Sequence, residues 1–302
     1  VPNQITGADL AKRLGVTICV HPQEAACIDT ALRWAAKFGD LGGIAPPRKI
    51  TRWAFASFAA AAYPNVDAAN VSLAADFTNW IGAVDDLVEA HPERIPIITA
   101  AHMGQRDEQV EPVSSLVAAW RDVESRLCEA MPDSFRDRVK QGLGRLFWSH
   151  AWEAQLWSQG KVPSLPEYKN HRHENGGLPI YLLILERAIG GISHDVSSST
   201  WFIELNQRVG NLACFANDLL QHEQDRANGN PMNLVRVIEA TAGAARAFDH
   251  SVEVTLQELN AWRELSSAAP TQGPIQSYVA QQPYLISGTF RWMDMTHRYA
   301  SS

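Results

Sequence analysis

The chain has 302 residues, 46% hydrophobic and 20% charged, with 26 Lys and Arg against 33 Asp and Glu and a net charge of −7. That length buries a sizeable core in one large domain or two small ones, and the negative balance argues against broad binding to nucleic acid or an anionic membrane, which needs a basic face. The longest apolar run, Pro179 to Leu185, is too short to span a bilayer, and Val1 to Gly15 lacks the charged start and apolar block of a secretion signal. Cys19, Cys27, Cys128 and Cys214 are scattered without paired spacing, which speaks against a disulfide framework or a zinc site. A cytoplasmic protein is expected.

Helical periodicity runs over 22–38, 49–62, 67–90, 113–130, 133–159, 165–190, 196–226, 231–266 and 275–299, while strand-like alternation is scarce. Pro64-Asn65 separates the second segment from the third, Asp67 is placed to cap the third, and His91-Pro92 closes it. Pro132-Asp133 opens another, which Gly160 and Pro163 end. Gly176-Gly177-Leu178-Pro179 should break the segment that begins at Leu165, because glycine loosens a helix and proline removes a donor. No internal repeat or low-complexity tract interrupts this order. Long helices with short connections predict one all-α domain over 1–302, a bundle able to enclose a pocket between its helices.

Two acidic clusters carry the chemistry. In Asp85-Asp86-Leu87-Val88-Glu89, Asp85 and Glu89 share a helix face one turn apart, and that face runs back through Ile81 and Phe77 with Trp80 beside them. An apolar, aromatic wall thus ends in carboxylates, which need cations or water if they are not simply a solvated helix end. In Asn217-Asp218-Leu219-Leu220-Gln221-His222-Glu223-Gln224-Asp225, the oxygen-bearing Asn217, Gln221 and Asp225 fall at i, i+4 and i+8 on one stripe. Such a set suits a hard cation that completes its shell with water and phosphate. The apolar flank of Val209, Leu212, Ala213 and Ala216 suggests that the stripe faces inward. Arg172, just before the expected break, and Arg298, four residues from the end, are natural phosphate clamps.

These residues together resemble a class I terpene synthase of the bacterial type. Asp85-Asp86-x-x-Glu89 is similar to the family's aspartate-rich motif, and Asn217-Asp218 with Gln221 and Asp225 is similar to its second metal motif. Trp152-Glu153 through Arg172 and Asn175-Gly176 resembles the stretch around the family's diphosphate-sensing arginine. Asn230-Pro231-Met232-Asn233-Leu234-Val235 and the terminal Arg298-Tyr299 pair also fit, so the ordered match covers about 20–299. Gln221 stands where the family has Ser or Gly, Asp225 where it has Glu, and Gln224 where a basic residue often precedes the acid; these departures bear on the second metal motif.

The resemblance implies a class I terpenoid synthase bundle with a central hydrophobic cavity, taking a linear prenyl diphosphate tail-first. It implies Mg²⁺, three ions, held by Asp85 and Glu89 on one side and Asn217, Gln221 and Asp225 on the other. Asp86, Arg172, Asn175, Gly176, Arg298 and Tyr299 would serve ionisation. Phe77, Trp80, Ile81, Trp148, Trp152 and Trp292 are expected to wall the pocket, with Arg172, Arg298 and Tyr299 also binding substrate. His150 reads as a core residue or a late base. Farnesyl diphosphate is favoured slightly over geranylgeranyl diphosphate, with a possible homodimer by family likeness. Three alternatives stay open: a chain-elongating prenyl diphosphate synthase, a synthase taking a pre-cyclised bicyclic C20 diphosphate, and a non-catalytic prenyl-lipid-binding protein on a decayed scaffold.

Overall fold

The computed structural model describes residues 5–106 and 109–298. The described residues form helices and connecting turns, and no strand occurs among them. The chain opens with α1 (Gly7–Leu14), α2 (Glu24–Lys37), the single tight turn α3 (Gly39–Gly42), α4 (Pro47–Trp53) and α5 (Phe55–Ala62). Then come α6 (Ala68–Ala90), α7 (Ile95–His102), α8 (Val113–Leu127), α9 (Asp133–Ser158), α10 (Leu165–Asn175) and α11 (Leu178–Ala188). The last part holds α12 (His194–Ser197), α13 (Thr200–Asn228), α14 (Leu234–Ala242), α15 (Ala244–Ser267), α16 (Pro274–Gln281) and α17 (Pro283–Met295).

Local chemistry explains the long helices that carry the site. Asp67 caps α6, its side chain accepting from the Asn70 amide at 2.9 Å. Ser164 and Glu167 form a reciprocal capping box at the start of α10. Ser199 accepts from the Phe202 amide to start α13, and Gly229, at φ 76°, ends it in the left-handed conformation that glycine adopts freely.

Three segments expected as single helices are divided, each for a visible reason. The 49–62 segment splits at Ala54, which takes φ 55° and ψ 28°. The carbonyls that would continue α4 are taken from a distance: Trp292 Nε1 and Thr296 Oγ1 donate to Trp53 O at 2.6 and 3.0 Å, and the His297 amide donates to Arg52 O at 2.8 Å. The 231–266 segment divides at Gly243 (φ 81°, ψ 154°), and its first residues are drawn into a loop by Asn233. The 275–299 segment divides at Gln282-Pro283 and ends at Met295, with Thr296 extended. The break after Asn175 falls at Gly176-Gly177. Helices α1 and α7 and the short turn α3 have no counterpart among the expected segments.

The largest fully buried side chains are aromatic, among them Trp53, Trp80, Trp120, Phe77, Phe135, Phe147, Phe202, Phe215 and Phe290. A polar knot lies behind α6, where Asp76 (1% exposed) pairs with Arg126 Nη1 at 2.9 Å. Arg126 also pairs with Asp122, which accepts from Trp34 Nε1 at 2.8 Å. Burial outweighs Arg126 and pushes the Asp76 carboxyl up to about 7. Folded protein therefore holds this proton to higher pH than the unfolded chain. Stability from this group is full below the unfolded carboxylate range and is lost as pH rises through about 7. Melting curves of wild type and Asp76→Asn between pH 4 and 8 should diverge, with the wild type losing stability more steeply. Parallel curves would contradict the assignment.

Candidate active site

A cavity of about 520 Å³ opens between α4, α5, α6, α9, the α10–α11 break, α13 and α17. Its mouth is built on two facing walls. On α6, Asp85, Asp86 and Glu89 line the opening, and Ile81 and Gly82 line the wall one turn deeper. Gly82 has no side chain because a Cβ there would lie 2.4 Å from the Phe55 ring, which packs directly on the helix. Arg298 Nη2 reaches Asp85 at 2.7 Å and Asp86 at 2.6 Å, and its guanidinium lies over the rings of Trp53 and Phe55. Lys49 Nζ holds the other Asp86 oxygen at 2.6 Å.

The opposite wall is α13, from which Asn217, Gln221 and Asp225 line the cavity in successive turns. Asp225 Oδ2 accepts from Asn233 Nδ2 at 2.8 Å, and the carboxyl is pushed up by burial. Asn217 Nδ2 donates a long contact to Met293 Sδ at 3.5 Å. Gln221 is buried (7% exposed) and its Nε2 has no hydrogen-bond partner among the described residues.

Between the walls runs a buried relay. Arg172 (8% exposed) donates to Asp218 from both Nε and Nη2, the latter at 2.7 Å, and Asp218 also accepts from the Leu234 amide at 3.1 Å. Arg172 Nη1 donates to Asn175 Oδ1 at 3.0 Å, and Asn175 Nδ2 donates to Glu153 Oε2 at 2.8 Å. The break beyond Asn175 brings the chain against both α13 and α6. A Cβ on Gly176 would lie 2.6 Å from Cys214 Sγ, and one on Gly177, which has φ 70°, would lie 2.5 Å from Ile81 Cδ1. Gly177→Ala should therefore lower stability by about 1–2 kcal/mol from the left-handed backbone alone, with added displacement of Ile81. Chemical denaturation measures this, and an unchanged midpoint would contradict the close packing.

Negative charge is in surplus at the mouth. Glu153 is pushed up to about 7, first by burial and then by Asp85. Glu89 reaches solvent at the rim yet is pushed up to about 8, first by the protein packed around it and then by Asp85. His150, beside Glu153, is buried with an unpartnered Nε2, and burial lowers its pKa. Carboxylates that resist ionisation together are relieved by cations.

The depth of the cavity is apolar, formed by Phe55, Phe58, Ile81, Leu178, Tyr181 and Trp292. Tyr181 closes it, its hydroxyl donating to Thr78 Oγ1 at 3.1 Å and its ring meeting Phe58 edge-on at 5.3 Å.

The structure gathers Asp85, Asp86, Glu89, Arg172, Asn175, Gly176, Asn217, Gln221, Asp225, Arg298, Ile81 and Trp292 around this one cavity. Four expected wall residues lie elsewhere. Phe77 and Trp80 sit behind the lining: Phe77 packs against Tyr181 at 4.8 Å, and Trp80 Nε1 donates to Leu116 O in the core. Trp148 is 49% exposed and stacks on Trp152, with His171 across both rings. The α9 stripe that reaches the cavity is His150, Glu153 and Trp157, so residues two positions either side of His150 point away from it. Tyr299 lies outside the described residues. Lys49, Arg52, Phe55, Phe58, Thr78 and Tyr181 also line the cavity, and no motif or spacing in the sequence marks them.

No group of three or more His, Cys, Asp or Glu among the described residues is close enough to hold a metal ion by itself. The donor set nevertheless fits a hard divalent cation that shares its ligands with an anionic substrate: carboxylates face amide oxygens across the mouth. The orphaned Gln221 amide supports this, since turning the amide over presents an oxygen where a nitrogen now has no partner.

The described residues thus form an all-α scaffold around an apolar cavity with an oxygen-lined, arginine-rimmed mouth. Residues 76–261 match the family described as terpene synthase family 2, C-terminal metal binding, and the chain belongs to that family. It is an enzyme of the terpene synthase type. It is 24% identical to the (+)-T-muurolol synthase of Roseiflexus castenholzii over 89% of this chain and 87% of the relative. It is 23% identical to the pristinol synthase of Streptomyces pristinaespiralis over 99% of this chain and 87% of the relative. Among solved structures, wild-type cucumene synthase superposes with a TM-score of 0.77 at 20% identity, over 93% of this chain and 98% of its own. The linalool/nerolidol synthase of Streptomyces clavuligerus does so with a TM-score of 0.77 at 17% identity, over 93% and 98%. These structural likenesses define the fold. No helix among the described residues is long and apolar enough to cross a membrane.

Proposed function

We propose that the chain ionises a linear prenyl diphosphate, farnesyl diphosphate in first place, and cyclises the resulting carbocation to a terpene with release of diphosphate. The observation that carries this reading is the pairing of an oxygen-lined mouth on α6 and α13 with an apolar, aromatic depth in one cavity. Its volume lies within the range of roughly 300–1,000 Å³ typical of small-molecule sites. A relative named for cyclising (2E,6E)-farnesyl diphosphate supports the chain length.

Three Mg²⁺ ions, held by Asp85 and Glu89 on one wall and Asn217, Gln221 and Asp225 on the other, would neutralise charge on the departing diphosphate. Arg172 and Arg298 aim further donors at the same region, where charge grows as the carbon–oxygen bond breaks. Arg172 is fixed by Asp218 on one side and Asn175 on the other, so its orientation is set before substrate arrives. Phe55, Phe58, Tyr181 and Trp292 exclude water and turn polarisable ring faces to a migrating cation.

The test is incubation with geranyl, farnesyl and geranylgeranyl diphosphate, each followed by extraction and identification of hydrocarbons. A terpene from farnesyl diphosphate as the main product is expected. A product only from geranylgeranyl diphosphate would move the substrate to C20. A requirement for added isopentenyl diphosphate would make the chain an elongating synthase. Binding without any product would leave a prenyl-lipid carrier or an enzyme for a pre-cyclised substrate.

A further inference from the structure

We propose that Lys49, on α4, is a diphosphate-binding residue that holds Asp86 in the substrate-free enzyme and transfers to the substrate's diphosphate. The inference rests on the reading above and extends it to a helix outside the motifs.

The first ground is geometric. The Asp86 carboxylate bridges two cations from separate parts of the chain, Lys49 Nζ on one oxygen and Arg298 Nη2 on the other, both at 2.6 Å. Two cations this close in the lining need an anion between them, and a phosphate offers the same paired oxygens. Trp53 supports both: the Lys49 ammonium lies 5.2 Å and the Arg298 guanidinium carbon 5.6 Å from its ring centroid.

The second ground is the distribution of charge. The α13 wall contributes Asn217, Gln221, Asp225 and Asn228 to the lining, and no cation. Arg226 turns outward to Glu239 at 3.3 Å, and Arg236 donates to the Asn230 carbonyl. Arg172 lines the cavity and is shared with the buried Asp218. The remaining positive charge for a polyanion comes from the α4 side, where Lys49, Arg52 and Arg298 line the opening.

The third ground is mechanical. Helix α4 and the segment bearing Arg298 are one unit, joined by His297 N to Arg52 O at 2.8 Å, Arg52 Nη2 to His297 O at 3.1 Å and Thr296 Oγ1 to Trp53 O at 3.0 Å. Lys49 and Arg298 thus approach a substrate together. The Lys49 side chain is 39% exposed, so its pair with Asp86 is weak and exchangeable. A lysine's flexible stem lets the ammonium turn from one anion to another.

The experiment titrates inorganic diphosphate with Mg²⁺ into wild type, Lys49→Ala, Lys49→Met and Lys49→Arg by calorimetry, alongside KM and kcat for farnesyl diphosphate. Lys49→Ala and Lys49→Met should weaken diphosphate binding about tenfold, the weight of one hydrogen bond to a charged group. KM should rise in step, and Lys49→Arg should restore most of the loss. The same substitutions in an Asp86→Asn background separate the roles. A loss of diphosphate affinity that persists there supports direct contact. An affinity unchanged by Lys49→Met, or a loss that disappears in the Asp86→Asn background, would overturn the proposal and leave Lys49 as a partner of Asp86 alone. Wild type that binds diphosphate but turns over no prenyl diphosphate would refute the functional reading while leaving the Lys49 comparison decisive.

Discussion

Asp85→Asn should lose turnover by a factor of about 10²–10³, the usual size of losing one preorganised electrostatic contact to developing charge, while its melting temperature stays level or rises. The two halves of that expectation have separate causes. Asp85 projects from α6 into the mouth, where it meets Arg298 and no part of the core. Asparagine keeps the size of the side chain and an oxygen that still accepts from Arg298, whose charge stays paired with Asp86, so the cost of losing the Asp85 charge is small. Against that small loss, Asp85 is the second cause, after burial, of the raised pKa values of both Glu89 and Glu153. Removing its charge eases both carboxyls. An active site that strains the fold to concentrate charge gains stability when it is blunted. Initial rates of diphosphate release and a thermal melt on the same preparation test the pair of claims. Near-normal rates would remove Asp85 from the machinery, and a large drop in melting temperature would show that its role is structural.

Arg172→Ala should abolish activity and also destabilise the protein by about 3–5 kcal/mol, the penalty for leaving half of a buried ion pair. Arg172 is 8% exposed and Asp218 is fully buried, and the two meet through Nε and Nη2 of the guanidinium. With the arginine gone, Asp218 keeps the Leu234 amide as a donor but loses its counter-charge. The double variant Arg172→Ala, Asp218→Asn removes both charges and should recover most of the stability while staying inactive. Urea denaturation of the two variants reads the first claim and product formation the second. Recovery of activity in the double variant would mean that Arg172 serves only to satisfy Asp218.

Much of this site was legible because it lies on helical stripes. Asp85 and Glu89 on one helix, and Asn217, Gln221 and Asp225 on another, follow from residue spacing with an apolar flank. The break beyond Asn175 was equally legible, since two glycines and a proline in four positions leave a helix little choice. The split at Ala54 was not, because alanine is the strongest helix former and nothing local argues against it. The interruption there comes from Trp292, Thr296 and His297, which reach the carbonyls of Arg52 and Trp53 from the far end of the chain. Lys49 and Arg52 owe their place at the mouth to that distant contact.

The misplaced tryptophans have a different cause. Aromatic content says that rings are near, and not which side of a helix they take. On α9 the stripe that turns to the cavity is partly polar, His150 and Glu153, which inverts the usual expectation that the apolar face looks inward. On α6 the same apolar face runs through Phe77, Ile81 and Asp85, yet only the latter two line the cavity, because the Tyr181 ring packs against Phe77. That Tyr181 stands there depends on how α11 packs, which no local pattern records.

On the proposed reading, the two walls and their arginines ionise a prenyl diphosphate only together with a divalent cation. The most direct measurement is release of inorganic diphosphate from farnesyl diphosphate by the purified chain across a titration of MgCl₂. Release should be absent without the metal and rise saturably with it, and should be lost in Asp85→Asn. Release that is indifferent to Mg²⁺, or that survives the loss of Asp85, would contradict it.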